Sequence, residues 1–305
     1  MTRRPGVSLT EVLVALFVMA IGMMGLLTLF PLGALTMAQA IRDDRCAHIA
    51  RNAFAIAEAR GIRFNSWVGQ NLPSTYSSVP NNGRSPLHRS GPSIPVFVDP
   101  YGIGPLNVEE PAESRLIPWD SITRPLGGVI PRRSVHFCNT ATQVARWCSL
   151  RDDINFGPNG TPFYTSPVQV DGRYSWAWLL RKPKSADGNR IEVTVIVYNA
   201  RPMGSAGQGE IVSPASGAKG GRTVLIPSDV PIKRGNWIMD ISPELPELYG
   251  PAHGFFYRVI GVTQTSGGMV LDLQTVLKAP VSRILIMDGV VEVFEKGMDR
   301  LPRAW

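Results

Sequence analysis

Residues 12–38, VLVALFVMAIGMMGLLTLFPLGALTMA, decide how this chain is read, because they contain no charged residue. A hydrocarbon core of about 30 Å takes roughly 20 apolar helical residues, so this run predicts a membrane-spanning helix with length to spare. Arg3 and Arg4 stand before it, and the balanced set Arg42, Asp43, Asp44 and Arg45 follows it. Cations near a span stay on the cytoplasmic side, which puts the N-terminus inside and the bulk of the chain outside. Gly22, Gly25, Pro31 and Gly33 are points where the helix is expected to kink or melt.

Outward from that run, Met37 to Arg60 is free of glycine and proline. Ile41, Cys46, Ile49, Ala53, Ile56 and Ala57 fall on one stripe at helical spacing, so the same helix is predicted to continue to Arg60, with Gly61 as its C-cap. Glu11 is out of place at the cytoplasmic end of the apolar run. A carboxylate there either sits at headgroup depth or needs a partner that neutralises it.

Residues 6–16, GVSLTEVLVAL, behind a short basic leader, resemble the prepilin cleavage and methylation motif of type IV pilins and type II secretion pseudopilins. The E-V-L-V-A-L variant is nearest to the minor pilins grouped as type IV pilus modification proteins and to minor pseudopilins. The resemblance covers about the first 40 residues. It implies cleavage by a prepilin peptidase between Gly6 and Val7 and N-methylation of Val7, although the family usually has phenylalanine there. It also implies that Glu11 pairs with the new α-amino group of Val7 on a neighbouring subunit during assembly. The implied partners are the prepilin peptidase, other pilin or pseudopilin subunits and, before assembly, inner-membrane lipid. The implied location is a single-pass inner (cytoplasmic) membrane protein with a cytoplasmic N-terminus, and afterwards a pilus or pseudopilus. A twin-arginine leader (Arg3, Arg4) cut after Ala38-Gln39-Ala40 competes with this. However, signal h-regions are about 7 to 15 residues long, and Glu11 is foreign to them.

The remaining sequence is expected to form a head. With 30 Gly and 26 Pro in 305 residues, a helical bundle is disfavoured. Residues 62–170 read as loop-rich, with either a helix or two short strands between Arg132 and Leu150. Residues 171–305 read as β-rich. Runs at 174–180 and 191–198, joined by Ser185-Ala186-Asp187-Gly188-Asn189, predict a hairpin. Further runs fall at 223–226, 237–241, 255–263, 269–277 and 284–294, with a turn at Ser266-Gly267-Gly268. The fold class expected is therefore α+β and pilin-like: a leader (1–6), a helix (7–61) packed on an antiparallel sheet head, and long loops.

Little chemistry is visible. The four histidines stand in unrelated contexts, and no nucleophile, phosphate loop or cofactor motif accompanies them, so neither an enzyme nor a cofactor is expected. His136 and Cys138 lack a metal-site pattern, and Asp152, Asp153, Asn155 and Gly157 lack the full calcium-loop spacing. Of three cysteines, Cys138 and Cys148 either close a small disulfide loop outside the cytoplasm or stay as buried thiols, and Cys46 is the odd one. The net charge of +7 comes without a dense Lys/Arg block, which weighs against nucleic acid as a partner without closing that class.

Overall fold

The computed structural model describes residues 9–60, 95–104, 130, 132–135, 138, 140–150, 173–181, 191–205, 207–243 and 252–298. Gly6, Val7, the 182–190 connection, His136 and the acidic cluster at 152–157 lie outside these, as does most of the 62–170 region. Two compact units are present, residues 1–47 and 48–305.

In the first unit the helix α1 (Leu9–Ala59) begins and runs unbroken through Gly22, Gly25, Pro31 and Gly33. A Cβ placed on any of these three glycines would meet nothing within 4 Å, so packing does not require glycine there.

The second unit starts at His48 and contains the last turns of α1, where Ile49, Ala50, Ala53 and Ala57 are buried. It continues through β1 (Val96–Val98), α2 (Pro100–Ile103), β2 (Arg132–Arg133), α3 (Ala141–Cys148), β3 (Tyr174–Arg181) and β4 (Ile191–Asn199). Then come β5 (Glu210–Gly217), β6 (Thr223–Ile226), β7 (Trp237–Asp240), β8 (Phe255–Thr265), β9 (Gly268–Leu273), β10 (Val281–Met287) and β11 (Val290–Met298). The strands form a five-stranded sheet in the order β11-β4-β3-β1-β2 and a closed barrel in the order β10-β5-β6-β9-β8-β7.

This corrects the expected fold class. The C-terminal part is mostly β, and a closed six-stranded barrel stands where a single antiparallel pilin-like sheet was predicted. Two local features decide the difference. The run read as one strand from Ile284 turns at Asp288-Gly289 (Gly289 φ 75°), sending β10 into the barrel and β11 into the five-stranded sheet. The segment Glu210–Gly217, which carries Pro214 and few large apolar residues, is a strand. It pairs β10 on one side and β6 on the other, which closes the ring and removes its edges. The five-stranded sheet is also mixed, because β1 and β2 run parallel.

Alternation distributes the side chains between two cores. From β7 and β10, Ile238, Ile284 and Ile286 point into the barrel beside Val224, Tyr257, Val259 and Leu271. Their neighbours Met239, Leu285 and Met287 pack against Ala177, Leu179, Ile196 and Tyr198 of β3 and β4. The opposite face of β3 carries Trp176 and Trp178, stacked with centroids 4.1 Å apart. The Trp176 indole N–H donates to Trp147 O (3.2 Å). A cleft of about 280 Å³ there is lined by Ile49, Asn52, Ile56, Arg146, Trp147 and Trp176. Lys296 of β11 pairs with Glu58 of α1 (2.8 Å). Layers therefore run from the end of α1 through the sheet to the barrel.

Candidate functional site

The most unusual surface is on the first unit. Phe17, Met24, Leu27, Phe30 and Met37 are all at least 66% exposed, and an 18-residue window of α1 has mean hydropathy 2.6 with none of it buried. Soluble proteins rarely leave so much contiguous apolar surface in water. The chain thus has one N-terminal helix long and apolar enough to cross a membrane. Glu11 lies in its first turn, where the unsatisfied N–H groups of the helix start favour a carboxylate. Of the predicted processing and assembly residues, Glu11 is described; Gly6 and Val7 are not.

The structure brings Cys138 and Cys148 together. Both are fully buried thiols, and their side chains hydrogen-bond each other. The Cys148 contact, assisted by the positive charge of Arg60, holds the Cys138 thiol below its ordinary value despite burial. Burial first, then Cys138, pushes the Cys148 thiol well up. Cys148 ends α3, whose N-cap Thr140 accepts from Gln143 N–H (3.2 Å).

Where sheet meets barrel, four charged side chains are buried together. Asp99, between β1 and α2, accepts Gly102 N–H (2.9 Å) and both terminal nitrogens of Arg201 (2.9 and 2.8 Å), a bidentate fork. Arg132 of β2 places Nε 3.4 Å from Asp99 and reaches Glu210 of β5 with Nη2. Arg201 also lies 3.9 Å from Glu210 and stacks on the Tyr198 ring at 4.2 Å. Burial works against the Arg201 charge, but Asp99, Tyr198 and Glu210 outweigh it and raise its pKa. Two cations and two carboxylates cancel, so the cluster ties the two β structures together and presents no net charge.

A second buried pair joins Asp240 to His253 Nδ1 (2.8 Å). Asp240 also accepts Ser242 N–H (2.9 Å), while Ser242 Oγ accepts Ser282 N–H (2.7 Å) and Arg283 N–H (3.1 Å). Ser242 is committed to the backbone of β10, so this constellation clamps the barrel and offers no free nucleophile to the imidazole. Among the described residues no group of three or more His, Cys, Asp or Glu is placed to hold a metal ion.

Basic residues that look scattered in the sequence are partly gathered by the fold. Gly235 N–H donates to Val259 O (2.8 Å), Val259 faces Leu273, and Leu273 N–H donates to Arg222 O (2.8 Å). The turns bearing Lys233 and Arg234, and Lys219 and Arg222, therefore stand about three strand spacings apart, roughly 15 Å. All four side chains are exposed, with no ion pair to another described residue.

No family model, curated protein or solved structure matches the chain.

Sequence reasoning missed Asp99, Arg132, Arg201 and Glu210, which no spacing rule connects. It also missed Tyr257, whose hydroxyl accepts Lys278 N–H (2.9 Å) inside the second unit. Burial pushes its phenol from the ordinary 10.0 up to about 12. The folded chain keeps a proton that the unfolded chain loses, so this contribution is complete below pH 10 and disappears as pH rises through 12. Tyr257→Phe is expected to flatten the fall of the urea midpoint between those pH values; an unchanged slope would remove Tyr257 from the alkaline transition.

Proposed function

We propose that the chain is a non-catalytic subunit of a type IV pilus or type II secretion pseudopilus, anchored by α1 in the inner membrane before assembly. One observation carries this reading: an exposed, uncharged helical segment, residues 12–38, directly follows the GVSLTE segment that ends in Glu11. A helix exposing apolar side chains on every face needs lipid or other helices around it, and a filament core of like helices supplies the same environment after extraction from the membrane. Glu11 would neutralise the N-terminus of a neighbouring subunit, and the N-terminus would lie in the cytoplasm with the β-rich part outside. The prepilin peptidase would cut after Gly6 and methylate Val7.

Intact mass spectrometry of protein from membranes or sheared filaments is expected to give an N-terminus at Val7. Gly6→Ala is expected to leave the leader attached. Glu11→Ala is expected to be cut but to reduce incorporation into filaments at least 10-fold, since an unneutralised buried charge costs several kcal/mol. An N-terminus at Met1 or Ile41, or full incorporation of Glu11→Ala, would end the proposal.

The four exposed cations on the barrel favour a second reading, in which the anchored head is an adhesin or DNA-capture module. That reading requires DNA binding that falls steeply with salt and weakens on charge reversal at Arg222 and Arg234; absence of binding at low salt dismisses its nucleic-acid form.

A further inference from the structure

We propose that the cleft between the last turns of α1 and α3 is a docking site for an acidic peptide segment of a partner protein, one that carries an apolar side chain beside a carboxylate. The cleft holds about 280 Å³, and every described residue lining it belongs to the second unit. Ile49 and Ile56 of α1, with Trp147 and Trp176, make its apolar wall. Trp147 is 40% exposed, and Arg146 lines the same concavity. Tryptophan and arginine are the residue types that most often carry the energy of a protein interface, and they do so where a pocket shields them from water.

Two polar groups at the cleft are already committed: Trp176 N–H donates to Trp147 O (3.2 Å), and Ser149 Oγ donates to Ala145 O. Those bonds satisfy carbonyls in the last turn of α3, a task that otherwise falls to a basic side chain such as Arg146. Arg146 and Asn52 are both exposed, and neither hydrogen-bonds or ion-pairs with another described residue. None of the described lining residues is acidic, and the Arg60 guanidinium lies 5.8 Å from the Trp147 ring centroid. The charge missing from this place is therefore negative. A guanidinium takes a carboxylate through two parallel N–H···O bonds, and the Asn52 amide can both donate to and accept from a peptide group. In open water such a pair contributes little, but a segment seated on Trp147 and Ile56 displaces water and strengthens it. A free inorganic anion would leave the apolar wall wet, and a nucleic-acid backbone needs a row of cations. Ala55, also in the lining, is small and exposed, so it leaves the space open. The site stands on the second unit alone and does not depend on the filament reading.

The test is fluorescence anisotropy of the full chain in detergent with a dye-labelled, capped pentapeptide, alanine–glutamate–phenylalanine–glutamate–alanine. Saturable binding is expected, with Kd below about 1 mM. Arg146→Glu is expected to weaken it about 10-fold, through the lost carboxylate pair and like-charge repulsion. Ala55→Leu changes no charge and is expected to weaken it about 10-fold by filling the cleft. Peptides with lysine for glutamate, or serine for phenylalanine, should each bind about 10-fold more weakly. Both protein variants sit at exposed positions, so Tm should stay within about 2 °C, which separates lost binding from lost folding. Absence of saturable binding, or binding indifferent to Ala55→Leu, would overturn the site. Equal binding of the serine peptide would reduce it to a diffuse electrostatic contact, and displacement of the peptide by a short DNA duplex would reassign it to nucleic acid; either result also overturns the proposal.

Discussion

Asp99→Asn is expected to destabilise the second unit by about 3–5 kcal/mol. The substitution keeps the size of the side chain and an oxygen for Gly102 N–H, so packing and the start of α2 are preserved. What it removes is the charge that holds two arginines in place. Arg132 and Arg201 are at most 7% exposed at the side chain, and Glu210 alone then faces both. Water cannot take over the lost interaction at that depth, which is why the cost exceeds that of a surface ion pair by several-fold. Thermal melts of the full chain in detergent, followed by near-UV circular dichroism, measure the effect. Combining Asp99→Asn with Arg201→Met should recover part of the loss by restoring neutrality. A loss under about 1 kcal/mol for the single variant would show that the cluster is solvated or rearranged.

Gly268→Ala is expected to cost about 2–5 kcal/mol, by summing backbone strain of roughly 1–3 with overpacking of similar size. Gly268 opens β9 at φ 137°, a conformation that side-chain-bearing residues avoid. A Cβ there would stand 2.4 Å from Ile226 O. That oxygen belongs to the backbone of β6, whose pairing of Ile226 with Met269 fixes it, so it cannot swing aside. The adjacent Gly267 supplies the control, because a Cβ on it would meet nothing within 4 Å. Gly267→Ala should change Tm little, whereas Gly268→Ala should lower it by about 5–15 °C in a unit of this size. Equal effects would mean that the β8–β9 corner does not approach β6 as closely as described.

Local runs of residues explain which elements could be read in advance. Tyr174–Arg181, Ile191–Asn199 and Thr223–Ile226 are strands close to where β-branched and aromatic residues cluster, and the first two pair with each other as successive strands. Glu210–Gly217 could not be read that way. Its Pro214 lacks a donor, and its strand identity comes from β10 and β6, neighbours that meet it only in the closed ring. The split of 284–294 was hidden for a related reason. β10 is buried on both faces, so its sequence does not alternate and blends into β11. The charged cluster was invisible because Asp99 and Arg201 are 102 residues apart, and an isolated aspartate or arginine in sequence reads as surface.

By itself the sequence determined the apolar helix, since 27 consecutive uncharged residues need no distant partner to be helical and unsuited to water. It also determined most strand positions, through local propensity. Tertiary structure alone decided that the strands divide between a sheet and a closed barrel, that four charges neutralise one another at their junction, and that Cys138 meets Cys148. Each of these depends on groups far apart in the chain being brought within a few ångströms, where burial makes pairing compulsory and no local pattern records it.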